Sequence, residues 1–183
     1  MKELVFVTGN TKKAEEAAAI LPFPLSIHAL DLDEIQSLDS HKIVHHKAKH
    51  AYEIIKAPLF VDDVSLSIHA WNRYPGPLVK FLLQDGNGLF LRLLKHESDR
   101  RAELSATIAY HDGKNIHTFQ GILEGTIAKI PTGGDGWGFD PIFIPKGSEK
   151  TFAEMTKTEK NKLSHRKKAL TLFADFLSHI SPF

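Results

Sequence analysis

Cysteine is absent from the 183-residue sequence. Without cysteine the chain has no disulfide, no thiol nucleophile and no thiolate ligand for zinc, which fits a reducing compartment. Long apolar runs are missing too. The run at residues 4–7 is too short for the core of a signal peptide, and no stretch approaches the length of a membrane span. We therefore expect a soluble cytoplasmic protein that makes no membrane contacts.

An excess of charge of one sign is also missing. The 23 Lys and Arg residues nearly balance the 22 Asp and Glu residues, giving a net charge of +1. The overall charge therefore gives no reason to expect binding to nucleic acid. The composition, 42% hydrophobic and 25% charged, is that of a globular protein, and we expect one domain over residues 1–183. Helical and strand periodicities mix along the chain, which predicts an α/β fold with a mixed sheet.

The predicted elements follow one another without an internal repeat. Strands are expected at residues 4–7, 25–30, 59–61, 66–68, 102–110, 116–119, 122–130 and 142–144. Apolar and more polar residues alternate over 102–110, which predicts a strand with one face in water. Helices are expected at residues 11–21, from Asp39 or Ser40 to Pro58, at 78–83 and 89–94, and in one final segment carrying Leu163, Leu170, Phe173 and Leu177. The second of these has an amphipathic stripe that includes Val44, Ala48 and Ala51, and residues 156–159 match a capping box. Residues 72–77 and 133–138 are expected to be loops.

The first candidate for chemistry lies between the first strand and the first helix. Backbone N–H groups at a helix start favour anions, and glycine lets a phosphate approach the backbone. The pattern lacks the second glycine and the Gly-Lys-Ser/Thr ending of a Walker A loop. An ordinary capped helix with solvated lysines is an equally good interpretation of this segment alone. Its residues are Thr8, Gly9, Asn10, Thr11, Lys12 and Lys13.

Three carboxylates, Glu34, Asp62 and Asp63, form the second candidate. Magnesium prefers oxygen ligands, and one or two carboxylates with phosphate oxygens and water are enough. Neighbouring strand residues project to opposite faces, so Asp62 and Asp63 can share a site only if the strand ends there. We expect such an end before Val64 and Ser65. The alternative is a pair of loop acids at a sheet edge.

Two further segments could contact a nucleotide. Residues 136–140 place aromatic rings beside glycines and a carboxylate, which suits stacking on a base, although core packing explains the rings equally well. Six basic residues between positions 157 and 168 could hold a polyphosphate, form a solvated face or bind nucleic acid weakly. The histidine pairs His41/His45 and His46/His50 have metal-binding spacing but lack a His-Glu-x-x-His context.

Taken together, these segments resemble the inosine triphosphate pyrophosphatase family. The similarity is carried, in family order, by residues 8–13, Val61-Asp62-Asp63 with Pro75-Gly76-Pro77, residues 138–143, residues 151–155, Glu159-Lys160-Asn161 and Ser164-His165-Arg166. The resemblance implies an elongated central mixed β-sheet flanked by helices, with two lobes, an active-site cleft between them and a homodimer. It also implies magnesium-dependent hydrolysis of ITP, dITP and XTP to the monophosphate and pyrophosphate, with manganese as a possible substitute.

The resemblance also assigns roles to particular residues. Residues 8–13 and Lys47 would hold the triphosphate, and Glu34, Asp62 and Asp63 would bind the metal. Asp63, or its neighbour Asp62, would accept the proton from water. The base would be held and read by Trp137, Gly138, Phe139, Asp140, Lys160, His165 and Arg166.

The sequence departs from the family pattern in two places. Val64 follows the acidic pair, where the family usually has Ser or Thr, so Ser65 or backbone must supply any hydrogen bond there. Residues 71–74 replace the usual Gly-Gly stretch. Val64 leaves an alternative open, a purine-nucleotide-binding regulator with weakened catalysis.

Overall fold

A computed structural model describes residues 3–134 and 137–180. The strands are β1 Leu4–Val7, β2 Leu25–His28, β3 Leu59–Ile68, β4 Pro75–Gly76, β5 Arg101–His111, β6 Ile116–Ile127 and β7 Phe143–Pro145. The α-helices are α1 Thr11–Ile20, α2 Ser40–Ile55, α3 Val79–Leu83, α4 Asn87–Leu93, α5 Lys157–Leu163 and α6 His165–Ile180, and short 3₁₀ turns cover His69–Trp71 and Phe152–Glu154. None of the helices in these ranges is long and apolar enough to cross a membrane.

The strands form one mixed sheet, as the sequence predicted. Within the described ranges it has seven strands in the order β2-β1-β3-β5-β6-β7, and β4 pairs with β3. β1 runs parallel to both β2 and β3, whereas β4 is antiparallel to β3 and β7 is antiparallel to β6. The parallel part therefore holds the end of β1 and the start of α1, where the first candidate site was expected.

The chain divides into two compact units. The first comprises residues 1–63, 106–121 and 166–183. Its core includes Phe6 stacked on Phe60 at a centroid distance of 4.2 Å, with Phe173 of α6 tilted against Phe60 at 5.1 Å. The apolar stripe predicted for α2 contributes Val44, Ala48 and Ala51, all fully buried. This packing places the start of α1, the middle of α2 and the start of α6 within one unit.

The second unit comprises residues 64–105 and 122–165. Its buried cluster includes Leu66 and Ile68 from β3, Phe90 from α4, and Phe143 and Phe152 from the segment that follows β6. Helix α5 begins at a polar cap. Thr156 and Glu159 form the predicted capping box at the start of α5, each side chain accepting a hydrogen bond from the other residue's backbone N–H.

Several predicted boundaries were wrong, and β3 matters most. Residues 59–68 form one continuous strand, so Asp62 and Asp63 lie within it rather than at its end. β6 is likewise one strand of 12 residues instead of two short ones. Ladder hydrogen bonds to neighbouring strands outweigh the local polar residues that suggested the interruptions.

Three other elements also differ from the prediction. Strand β5 was expected to have one wet face, but its residues 106–111 are all buried, because Tyr52 stacks on His111 while Phe173 packs on Tyr110. The final helix is two helices, broken at Ser164, whose backbone is extended (φ −62°, ψ 152°). Pro75 and Gly76, expected in a loop, form β4.

Gly125 allows β6 to approach β7 closely. A Cβ there would meet the carbonyl oxygen of Ile144 and lie 2.5 Å from the ring of Phe143. We expect Gly125→Ala to lower the free energy of unfolding by about 1–3 kcal/mol, measured by urea denaturation. Gly134→Ala is the matched control, because nothing lies within 4 Å of its Cβ. Equal effects of the two substitutions would contradict the packing argument.

Candidate active site

The turn between β1 and α1 is built by a helix cap. Asn10 Oδ1 accepts hydrogen bonds from the backbone N–H groups of Lys12 and Lys13 at 3.0 and 3.2 Å, and Thr8 Oγ1 accepts one from Asn10 N–H. No atom lies within 4 Å of a Cβ built on Gly9, so the backbone there is open to a ligand. The segment is therefore a capped helix start that also keeps an accessible glycine.

A buried charge cluster lies beside this turn. Lys13 Nζ donates to Asp62 Oδ1 at 2.9 Å, and Arg166 Nε donates to Asp62 Oδ2 at 3.2 Å. Arg166 also donates to Glu16 Oε2. Asp62 and Arg166 are almost fully buried and expose 4% and 2% of their surfaces. The cluster ties α1 and the first turn of α6 to the centre of β3.

The ionisation of this cluster is set by opposing effects. Burial alone would raise the pKa of Asp62, but the charges of Lys13 and Arg166 and the hydrogen bond from Lys13 outweigh it and lower the pKa to about 2. Burial lowers the pKa of Lys13, and Asp62 only partly offsets this. Burial also opposes the charge of Arg166, but Asp62 and Glu16 prevail and raise its pKa. Asp62 is thus ionised across the physiological range.

Lys47 extends the charged group from the face of α2. Its Nζ donates to Glu34 Oε1 and to the backbone carbonyl of Asp62, both at 3.1 Å. The first unit therefore brings together Lys13, Lys47, Glu34, Asp62 and Arg166, five of the predicted site residues. Arg166 was assigned by the resemblance to the base, and its observed contacts here are to two carboxylates.

Asp63 and Val64 lie next to Asp62 in β3. Because successive strand residues project to opposite faces, Asp63 projects away from the face that Asp62 occupies. Val64 is partly buried and packs against the apolar cluster of the second unit. Ser65, which was expected to replace the missing hydroxyl, is buried as well.

A second group of predicted residues lies in the second unit. Lys160 Nζ donates to Asp140 Oδ2 at 2.8 Å, and the same oxygen accepts from Trp137 N–H at 3.2 Å. The Lys160 ammonium lies 5.6 Å from the ring centroid of Trp137 and 5.4 Å from that of Phe152. An ammonium held between a carboxylate and two ring faces is a rigid, directional polar group. Gly136 lies outside the described residues.

The break between α5 and α6 positions His165. The imidazole is 3% exposed and lies 6.3 Å from the ring of Phe139 and 6.4 Å from the ring of Phe152. Trp137, Phe139, Asp140, Lys160 and His165 thus all belong to the second unit. The sequence analysis did not name Phe152 or Glu16 as site residues. Only their contacts with other site residues in the folded chain identify them.

The carboxylates do not form a dense metal cage. Among the described residues, no group of three His, Asp or Glu side chains is close enough to hold a metal ion. Of the histidine pairs, His50 Nδ1 accepts from Asp33 N–H, and His46 Nε2 lies 3.9 Å from Asp33. The predicted roles of Glu34, Asp62 and Asp63 as metal ligands stay predictions. The hard oxygen donors of Glu34 and Asp63 suit magnesium, which needs only one or two carboxylates.

Removing the charge of Asp62 tests the cluster. Asp62→Asn leaves Lys13 and Arg166 buried with one carboxylate fewer, so we expect a loss of about 3–5 kcal/mol in the free energy of unfolding at pH 7. Because its pKa is depressed in the folded protein, the contribution of Asp62 is complete above the ordinary value of 3.8 and is lost as the pH falls through about 2. The difference between wild type and variant, measured by urea denaturation, should shrink below about pH 4.

Glu15→Gln is the control for this experiment. Glu15 lies 4.0 Å from Lys12 with both side chains about half exposed, so its removal should cost less than about 0.5 kcal/mol at any pH. An Asp62→Asn variant as stable as Glu15→Gln would show that the buried pairs add nothing.

Comparison with known proteins places these features in one family. A model of the Ham1 family matches residues 4–176. The dITP/XTP pyrophosphatase of Thermococcus kodakarensis is 40% identical over 178 residues, covering 95% of this chain and 96% of that protein. The inosine triphosphate pyrophosphatase of Schizosaccharomyces pombe is 39% identical over 183 residues, covering 97% of this chain and 96% of that protein.

The fold agrees with solved structures. A Ham1 protein from Coxiella burnetii has a TM-score of 0.84 at 28% identity, with 97% of this chain and 99% of that chain covered. The Staphylococcus aureus Ham1 protein has a TM-score of 0.82 at 25% identity, with 98% and 100% covered. The predicted mixed sheet flanked by helices is confirmed, and the chain belongs to the Ham1 family.

Proposed function

We propose that the protein hydrolyses ITP, dITP and XTP to the monophosphate and pyrophosphate, removing deaminated purines from the nucleotide pool. The observation that carries the proposal is the buried cluster of Lys13, Asp62 and Arg166 at the first strand–helix turn. Relatives about 40% identical over nearly the whole chain are named for pyrophosphatase activity on these substrates. The reaction adds water across the anhydride between the α and β phosphates.

The triphosphate is assigned to the first unit. Lys12 is exposed on α1, Lys13 stands on the next position of the same turn, and Gly9 leaves the backbone open. Lys13 is fixed by Asp62 and Lys47 by Glu34, so neither ammonium has to be ordered when phosphate arrives. Pre-ordered donors bind with less loss of entropy than free lysines.

The charge balance of this group argues for a metal ion. The cations Lys13, Lys47 and Arg166 are matched by the carboxylates of Glu16, Glu34 and Asp62. A triphosphate therefore meets a group whose charges already cancel. Magnesium held by Glu34 and Asp63 would neutralise the phosphate oxygens and lower the pKa of water when bound.

Asp63 is assigned as the base that accepts the proton from the attacking water. Asp62 cannot serve as well, because both of its oxygens accept hydrogen bonds from cations and its pKa is about 2. A carboxylate with so low a pKa has little affinity for a proton at neutral pH. We therefore assign Asp62 to positioning Lys13 and Arg166, not to the metal.

The purine base is assigned to the second unit. Trp137 and Phe139 offer ring faces, while Lys160 and His165 offer donors held in place by Asp140 and by packing. A 6-keto group accepts hydrogen bonds from such donors, whereas the adenine amino group presents hydrogens to them. Leaving buried donors unpaired is an effective way to reject adenine.

We also propose a cytoplasmic homodimer for this enzyme, on the strength of the family resemblance.

A panel of nucleotides tests the function. We expect pyrophosphate release from ITP, dITP and XTP with kcat/KM at least about 100-fold above that for ATP, because the site's donors match a 6-keto acceptor that adenine lacks. Chelating the divalent ion should abolish release, and manganese should restore part of it. Pyrophosphate and monophosphate are measured separately, so that a phosphatase releasing single phosphates is recognised.

Other outcomes of the panel have clear meanings. Equal rates on all nucleotides would contradict the selectivity. Tight ITP binding without turnover would favour the regulator suggested by Val64, whose side chain packs against apolar residues and has no hydroxyl.

The role of Asp63 is tested by removing its charge. Asp63→Asn should lower kcat about 10²–10⁴-fold, because a positioned general base contributes that much to the rate. The variant should keep its far-UV circular dichroism spectrum. Asp85→Asn, at an exposed position after α3, should keep wild-type kcat. An active Asp63→Asn enzyme would exclude Asp63 as the base.

A further inference from the structure

Asn87 links helix α4 to the turn that carries Trp137. It is the first residue of α4, and its Nδ2 donates to the backbone carbonyl of Gly138 at 3.0 Å in a partly buried contact. Phe90, one turn later, is fully buried in the core of the second unit. The amide thus connects residues 137–140 to a helix that Phe90 anchors in the core of the second unit.

The Asn87 amide is only half satisfied. Its Oδ1 is buried and accepts no hydrogen bond within the described part of the chain. A buried acceptor without a donor destabilises the folded state. Asparagine is therefore not the residue that would make α4 most stable at this position. What the Asn87 side chain does contribute is the N–H group that donates to the Gly138 carbonyl.

The position of the Gly138 carbonyl determines the shape of the turn. Gly138 has a left-handed backbone (φ +58°), and the nearest atom to a Cβ built on it, apart from its chain neighbours, is Leu83 Cδ1 at 3.8 Å. On one side of it Trp137 N–H donates to Asp140 Oδ2, the oxygen that also holds Lys160. Fixing the carbonyl of Gly138 therefore restrains the Trp137 ring and the Asp140–Lys160 pair together.

We propose that Asn87 is a positioning residue for purine-base binding, an inference that rests on the proposed function. It acts through Gly138 and sets base affinity, and it has no part in phosphate binding or proton transfer. The ligand class concerned is the purine nucleotide with a 6-keto base, as its monophosphate or triphosphate.

Asn87→Ala tests this assignment. We expect KM for ITP to rise about five- to tenfold, because a neutral hydrogen bond contributes about that factor to binding affinity. The value of kcat should change less than threefold. Inhibition by inorganic tripolyphosphate, which has no base, should stay within twofold of wild type. The melting temperature should shift by less than about 3 °C, because loss of the hydrogen bond is offset by removal of the unpaired acceptor.

Two further variants complete the experiment. Asn87→Asp keeps the size and the acceptor but has no donor at neutral pH, so its KM should rise at least as much. Gln84→Ala, at the exposed end of α3, should change neither constant. A wild-type KM in Asn87→Asp, or an equal weakening of tripolyphosphate inhibition, would overturn the assignment.

Failure of the proposed function is distinguished by direct binding. If the wild type releases no pyrophosphate, the dissociation constant of inosine monophosphate is compared for wild type and Asn87→Ala by calorimetry. Five- to tenfold weaker binding by the variant supports the positioning role even then. Equal binding by the two proteins, or no binding by the wild type, overturns it.

Discussion

The arrangement of the first unit depends on one buried carboxylate. Asp62 is 4% exposed in the middle of β3 and accepts hydrogen bonds from Lys13 of α1 and Arg166 of α6. A carboxylate at such a position destabilises the fold unless cations and hydrogen bonds compensate for its lost hydration. The compensation determines which residues must stand at the start of α1 and of α6. Lys47 of α2 adds a third contact through the Asp62 carbonyl.

This constraint is also what makes the cluster useful for chemistry. A stabilising core would be served as well by apolar residues of similar volume, because buried ion pairs seldom add net stability over them. The cluster instead holds cations in fixed positions beside an open backbone at Gly9. Burial lowers the pKa of Lys13, and the charge of Asp62 offsets part of that effect. Structure and proposed function thus need the same residue for different reasons.

Sequence patterns predicted the local parts of this arrangement well. The Ala48 and Ala51 stripe, the cap of α2 at Asp39 and the capping box at Thr156 depend on residues within a few positions of each other, and each is found in the structure. Polar residues near Asp62 also suggested a strand end, and that was wrong. Sheet pairing by non-local neighbours, which no local pattern records, keeps β3 extended through Asp63.

Long-range contacts were beyond reach for the same reason. Glu16 meets Arg166 across 150 positions of sequence, and Asn87 meets Gly138 across 51. The family resemblance named Lys13, Asp62 and Arg166 in three separate roles, for the triphosphate, the metal and the base, and did not indicate that they contact one another. The spacing of residues along the sequence does not show which residues pair as charges, or which amide has one hydrogen-bonding group satisfied and the other not. Both require the folded chain.

The environment of Val64 explains how this chain departs from the family pattern after the acidic pair. The chain passes from the first unit to the second between Asp63 and Val64, and Val64 packs with Leu66 and Ile68 in the apolar cluster. A Ser or Thr there would have to bury its hydroxyl against this cluster or find a polar partner, and an unpaired buried hydroxyl is destabilising. Valine removes that requirement at the cost of one donor. Under the proposed function, Asp63, the ordered lysines and the proposed metal ion would have to supply what a hydroxyl after the acidic pair would otherwise add.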